Sequence, residues 1–222
     1  ADHRLVLLLR ASLAAVHHNL GEFVEAETLY RALLDDELRL AAGTPNQFLL
    51  SVQHSLALVL ASAGKYDEAV QIRAALTEAA RAIFPPDDPN MLAILQVSGH
   101  LMISTGRITE AEATFREVLE RNEARYGRAY GRTILARFDV GNALVAQSKF
   151  AEAEAIYREG LDDAIGHLGP DDALTQRGRK DLGYLLTTTE RFDEAEPLLV
   201  DALEVRRRVS GPMGEGTILS LI

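Results

Sequence analysis

Among the residue types that most often do chemistry, the chain carries six histidines, His3, His17, His18, His54, His100 and His167, and no cysteine. Without a thiol there is no disulfide framework, thiolate metal site or cysteine nucleophile. His17 and His18 are adjacent, so they leave a helix in different directions, unlike the i, i+4 pair that grips a metal from one face. The expectation for His17 is a partly buried, hydrogen-bonded ring. The sequence contains no Gly-x-x-x-x-Gly-Lys phosphate loop, Gly-x-Ser-x-Gly elbow, His-Glu-x-x-His pair or calcium loop. No enzyme, metal or cofactor is expected.

Charge narrows the partners. The 33 acids outnumber 23 bases, for a formal net charge of −10, and the lysines are only Lys65, Lys149 and Lys180. Affinity for a phosphate backbone needs clustered positive charge, so nucleic acid is not an expected partner. The one dense basic run, Arg206-Arg207-Arg208, stands at a predicted helix end, where it suits the C-terminal dipole. The apolar run Leu5 to Leu9 is too short to span a bilayer, so no membrane association is expected. A cytoplasmic location is the default.

The elements that position these residues follow from a repeat. The dipeptide Glu-Ala returns at Glu25-Ala26, Glu68-Ala69, Glu110-Ala111, Glu152-Ala153 and Glu194-Ala195, at intervals of 43, 42, 42 and 42. The flanking text also repeats: GEFVEAETLY from Gly21, GKYDEAVQI from Gly64, GRITEAEATF from Gly106, SKFAEAEAIY from Ser148 and ERFDEAEPLL from Glu190. With 47% hydrophobic residues and helical spacing on both sides of the Gly (Leu13, Val16, Leu20; then Ala26, Leu29, Tyr30, Leu33), each unit reads as two helices. Gly21, Gly64 and Gly106 supply the left-handed residue of a helix end. Ser148 and Glu190 replace it in the last two units, where a different closure or some strain is expected. Thr109 with Glu112, and Asp193 with Glu196, have capping-box spacing and predict second helices beginning there. Pro45, Pro85-Pro86, Gly127, Gly169-Pro170 and Gly211-Pro212 mark the loops between units.

A period near 42 also fits HEAT, armadillo and WD40 arrays, but WD40 blades need strands and Trp-Asp pairs. The small residue twelve places before each anchor alanine, Ala14, Ala57, Gly99, Gly141 and Gly183, predicts close helix approach within each hairpin. On these residues the chain resembles the tetratricopeptide superfamily, in the longer form known from kinesin light chains and from bacterial multidomain regulatory proteins. The family's large second-helix position is matched by Tyr30, Phe115, Tyr157 and Leu199. Arg73 takes it in the second unit, where Ile72 or Leu76 is expected to supply the packing. The loops Pro86-Asp87-Asp88-Pro89 and Gly169-Pro170-Asp171-Asp172 match the family's inter-repeat loop.

The resemblance implies an all-α, right-handed α-solenoid of five antiparallel helix pairs, in units 3–44, 45–86, 87–128, 129–170 and 171–212. Residues 213–222 are expected to begin a sixth, the whole being a piece of a longer protein. It further implies a protein-interaction scaffold, a module of a larger bacterial signalling or regulatory protein, that takes a protein or peptide on a concave face lined by the first helices. The alternative is self-association through an uncapped C-terminal end. Aligned on the family, the inward columns contribute Ser51 and Arg177; Ser55, Asp139 and Asp181; His100, Asn142 and Tyr184; and His54, Gln96, Phe138 and Lys180. Asp139 and Asp181 are expected to accept hydrogen bonds from a partner, and Phe138 and Tyr184 to give apolar contact. His54 and His100, from successive units, are candidates for a pH-sensitive pair. The carboxylate clamp of the chaperone-binding branch needs Lys, Asn and Arg, and these columns offer only Arg177.

Overall fold

A computed structural model of the protein describes residues 2–40 and 44–210. Among the described residues there are ten helices and no strand, the all-α arrangement of paired helices expected. In chain order they are α1 (Asp2–Asn19), α2 (Phe23–Leu40), α3 (Gln47–Ser62), α4 (Tyr66–Arg81), α5 (Pro89–Ser104), α6 (Ile108–Tyr126), α7 (Gly131–Ala146), α8 (Phe150–Leu168), α9 (Ala173–Thr188) and α10 (Phe192–Ser210). The expected start of a sixth repeat lies outside the described residues. The chain divides into two compact units, residues 1–111 and 112–222, and the division falls inside α6.

Each repeat is a hairpin closed by the same turn. Lys65 N–H donates to Leu60 C=O at 2.8 Å, Lys149 to Leu144 at 3.0 Å and Arg191 to Leu186 at 2.8 Å. The residue before each donor is left-handed: Gly64 at φ 76, Ser148 at φ 60 and Glu190 at φ 60. Ser148 and Glu190 therefore make the glycine turn unchanged, at a strain of about 1 kcal/mol or more each for placing a Cβ in that region. The capping-box expectation needs correction. Both α6 and α10 begin one residue earlier, at Ile108 and Phe192, because the turn hands the N-cap to Arg107 and Arg191, whose carbonyls accept from Ala111 and Ala195. Thr109 and Asp193 are thus inside their helices. First helices start instead from the inter-repeat loop, with the side chains of Asn46, Asp88 and Asp172 accepting from Leu49, Asn90 and Leu174 backbone N–H. Pro197 sits in the second turn of α10 without ending it.

In the first unit α2 packs on α1 and α3, and α4 on α3 and α5; in the second, α8 packs on α7 and α9, and α9 on α10. In the fourth and fifth repeats the small residue admits the large one that follows the anchor alanine. A Cβ on Gly141 would lie 2.3 Å from the Tyr157 ring, and one on Gly183 would lie 2.6 Å from Leu199. The anchor alanines Ala26, Ala69, Ala111, Ala153 and Ala195 are all buried.

A polar device joins successive repeats. Glu27 takes Arg31 on its own helix and Lys65 in the next turn at 2.9 Å. In the second unit Glu112 takes Arg116 and Lys149, and Glu154 takes Arg158 and Arg191. The equivalent places in α4 are Val70 and Ala74, and the turn cation that would complete the clip, Arg107, pairs with Glu110 instead.

Candidate functional site

The first unit contains an open groove of about 570 Å³ between α3 and α5, floored by α4. Ser51, His54 and Ser55 face it from α3. Asn90, Ala93, Ile94 and Val97 face it from α5, and Arg73 and Leu76 lie beneath, with Phe84 from the loop after α4 at one end. The helical offsets three and four place Ser51, His54 and Ser55 on one stripe.

Beneath the groove lies a charge. The Arg73 side chain is 3% exposed. Its Nη1 donates to His54 Nδ1 at 2.8 Å and its Nη2 to the Ile94 carbonyl at 3.1 Å, while Nε has no hydrogen-bond partner. Among the described residues no carboxylate forms an ion pair with it. Burial alone lowers its pKa to about 10. A guanidinium can only donate, so Nδ1 of His54 must accept, which assigns the proton of the neutral ring to Nε2. Burial, and then the Arg73 charge, lower the His54 pKa below its ordinary value.

The sequence marked Arg73 only as a departure from the large apolar or aromatic residue of the other repeats. The side chain is not displaced by Ile72 or Leu76. Leu76 is buried beside it, and Arg73 keeps the buried place that Tyr30, Phe115 and Tyr157 hold elsewhere. The signal available was the mismatch itself: a charged residue where four repeats carry Tyr, Phe, Tyr and Leu.

The matching region of the second unit is closed. Phe138 on α7 is fully buried, with its ring against Gly160 of α8 and Gly178 of α9, where a Cβ on either glycine would come within 2.6 Å of it. Asp139 is also fully buried, and Arg177 of α9 reaches across to it at 2.5 Å while holding Asp181 at 3.3 Å. Burial would lower the Arg177 pKa, but Asp139 and Asp181 outweigh it and raise it. Burial raises that of Asp181 despite Arg177. Asn142 accepts from the Tyr157 hydroxyl at 2.6 Å. Phe138 and Asp139 are thus packing and pairing groups, without the exposure that contact with a partner requires. Lys180 and Tyr184 are exposed, Tyr184 at 60%.

The remaining sequence candidates fall on α5. Gln96 is half-buried and His100 exposed, and neither lines the groove, where His54 meets Arg73. His17 is half-buried with Nδ1 2.5 Å from Glu22, and His18 Nε2 lies 3.1 Å from Ser62 Oγ. Among the described residues no three His, Cys, Asp or Glu side chains gather as a metal site, and no helix is long and apolar enough to cross a membrane.

Three tetratricopeptide-repeat family models match the chain. One covers residues 48–124 and 90–165, more than half of its length, and the others cover 179–212 and 7–32. None of the curated proteins matches by sequence. Among solved structures, the nearly identical TPR-like repeats of a kinesin-light-chain candidate from Podosopora anserina are similar at 17% identity and TM-score 0.79, covering 94% of this chain and 99% of that one. BtubC (BKLC) from P. vanneervenii is similar at 19% identity and TM-score 0.74, covering 91% and 80%. MamA from Desulfovibrio magneticus RS-1 matches at 14% identity and TM-score 0.61, covering 91% and 96%. At these identities the likeness is one of fold.

Proposed function

The chain belongs to the tetratricopeptide-repeat family, and from that premise we propose that it is a protein-interaction module whose α3–α4–α5 groove holds a peptide segment of a partner. The observation that carries this reading is the groove itself. It has a polar rim at Ser51, Ser55 and Asn90 and apolar walls at Leu50, Ile94 and Val97. That combination suits an extended backbone with one apolar side chain turned inward. A peptide is favoured over nucleic acid by the charge of −10. The setting is a module of a larger bacterial regulatory protein, in keeping with the repeat length and loop motif. For a peptide selected by display against the folded chain, NMR titration should move the amide signals of Ser51, Ser55 and Val97 most. Perturbation spread evenly over other helices would overturn the assignment.

A second reading, self-association, has its own observation. Leu9, Leu13 and Val16 on α1 are 61%, 49% and 52% exposed, whereas their repeat equivalents Val52, Leu56 and Val59 are buried. Such a stripe is a surface for another helix. Light scattering over a concentration series tests it, and a constant monomer mass would remove it.

A further inference from the structure

Arg73 is the least accounted-for group in the first unit. Taking a guanidinium out of water costs several kcal/mol unless a counter-charge and hydrogen bonds offset it. Elsewhere that offset is present: the buried Arg137 pairs with Asp163, and the half-buried Arg177 with the buried Asp139. Arg73 has two neutral acceptors, a histidine nitrogen and a carbonyl oxygen, and leaves Nε without one. It lines two spaces: the groove of about 570 Å³, where His54 and Leu76 share the floor, and a smaller pocket of about 220 Å³ between α4 and α5, whose glutamate, Glu78, is already paired with Arg81.

From this geometry we infer that Arg73, with His54, is the recognition point for a glutamate side chain of the bound peptide, which descends from a backbone held at the groove rim. The inference rests on the groove reading given above and adds the charge of its occupant. A side-chain carboxylate on a flexible stem reaches a floor that a chain-terminal carboxylate, fixed to the backbone, does not. Both carboxylate oxygens then accept from the guanidinium, the fork geometry that distinguishes arginine from lysine. This differs from a carboxylate clamp built on first helices, because Arg73 comes from the second helix of its repeat. With a chain of net charge −10, acidic peptides are repelled in general, so a preference for one reports a local site.

The test uses the full chain and three probes: acetyl-Leu-Glu-Leu-amide, its Leu-Gln-Leu counterpart, and acetyl-Leu-Leu with a free terminal carboxylate. The readout is the Arg73 Nε–H NMR signal, assigned by its loss in Arg73→Met. The glutamate peptide is expected to shift it saturably and bind about tenfold or more tighter than the glutamine peptide. Equal binding of those two overturns the inference and leaves the groove reading standing. Tighter binding of the terminal carboxylate transfers the site to chain ends and also overturns it. Absence of binding by all three at millimolar concentration removes both readings. If Arg73→Met retains its helical circular dichroism, the glutamate preference must disappear in it. Should that variant not fold, the glutamate and glutamine pair on the unaltered chain decides.

Discussion

The helices α3, α4 and α5 and the helices α7, α8 and α9 are the same three elements two repeats apart, yet one set holds a groove open and the other is sealed. Phe138 is replaced by His54, and the glycines that seat its ring, Gly160 and Gly178, by Leu76 and Ile94. Asp139 and Arg177, which tie α7 to α9, become Ser55 and Ala93, and the buried Tyr157 becomes Arg73. A ring in a glycine seat and an ion pair across the helices close one gap. The other loses both and gains a buried cation. The difference shows how a repeat becomes a site: its closing contacts are removed at a few positions while the hairpin stays intact.

The largest effect should come from the two arginines. Arg177→Met leaves Asp139 buried without its guanidinium and is expected to lose about 3–5 kcal/mol, read by urea denaturation. Arg73→Met removes a buried charge that has no carboxylate partner among the described residues and should be neutral or stabilising, by up to about 4 kcal/mol. Equal losses would break the comparison. Next, Gly178→Ile, which gives α9 the residue of α5, drives a side chain into the Phe138 ring and should cost about 1–3 kcal/mol. An unchanged melting temperature would show that the ring does not seal the gap.

The inter-repeat ion clip provides a smaller contrast. Burial would raise the Glu112 pKa, but hydrogen bonds from Gln147, Arg116 and Lys149 outweigh it and hold it at about 2, below the ordinary 4.5. A depressed carboxylate contributes stability above its unfolded value and loses it as pH falls from 4.5 toward 2. Glu112→Gln should therefore cost about 1 kcal/mol at neutral pH and flatten stability against pH across that window. Smallest is Ser148→Gly, expected to gain about 0.5 kcal/mol, since relief of the left-handed strain is partly offset by glycine's extra freedom in the unfolded chain.

Much of this was legible beforehand. The Glu-Ala period and its helical spacing are enough for the paired helices, since hairpin closure is local and each turn reads directly from its residues. The groove was half legible. Ser51, His54 and Ser55 lie on it because first-helix stripes follow from offset alone. Phe138 and Asp139 do not, because their fate depends on Gly160, Gly178 and Arg177, which come from other helices and become neighbours only when the repeats pack. Arg73 was visible as an exception, but its burial was not, because arginine ordinarily extends its charge to water. The ion clip was written as Glu-Ala-Glu in the first, third and fourth repeats, but the fifth carries the same tripeptide at Glu194-Ala195-Glu196, and nothing in it reveals that the second glutamate reaches the next turn.

A partner seated in the α3–α5 groove must be displaced by anything that fills it. Ser55→Trp would fill the groove from its rim without touching the core. The affinity of a display-selected peptide, measured by fluorescence anisotropy on the folded variant, should fall about tenfold or more. Affinity unchanged from the unaltered chain would contradict that placement.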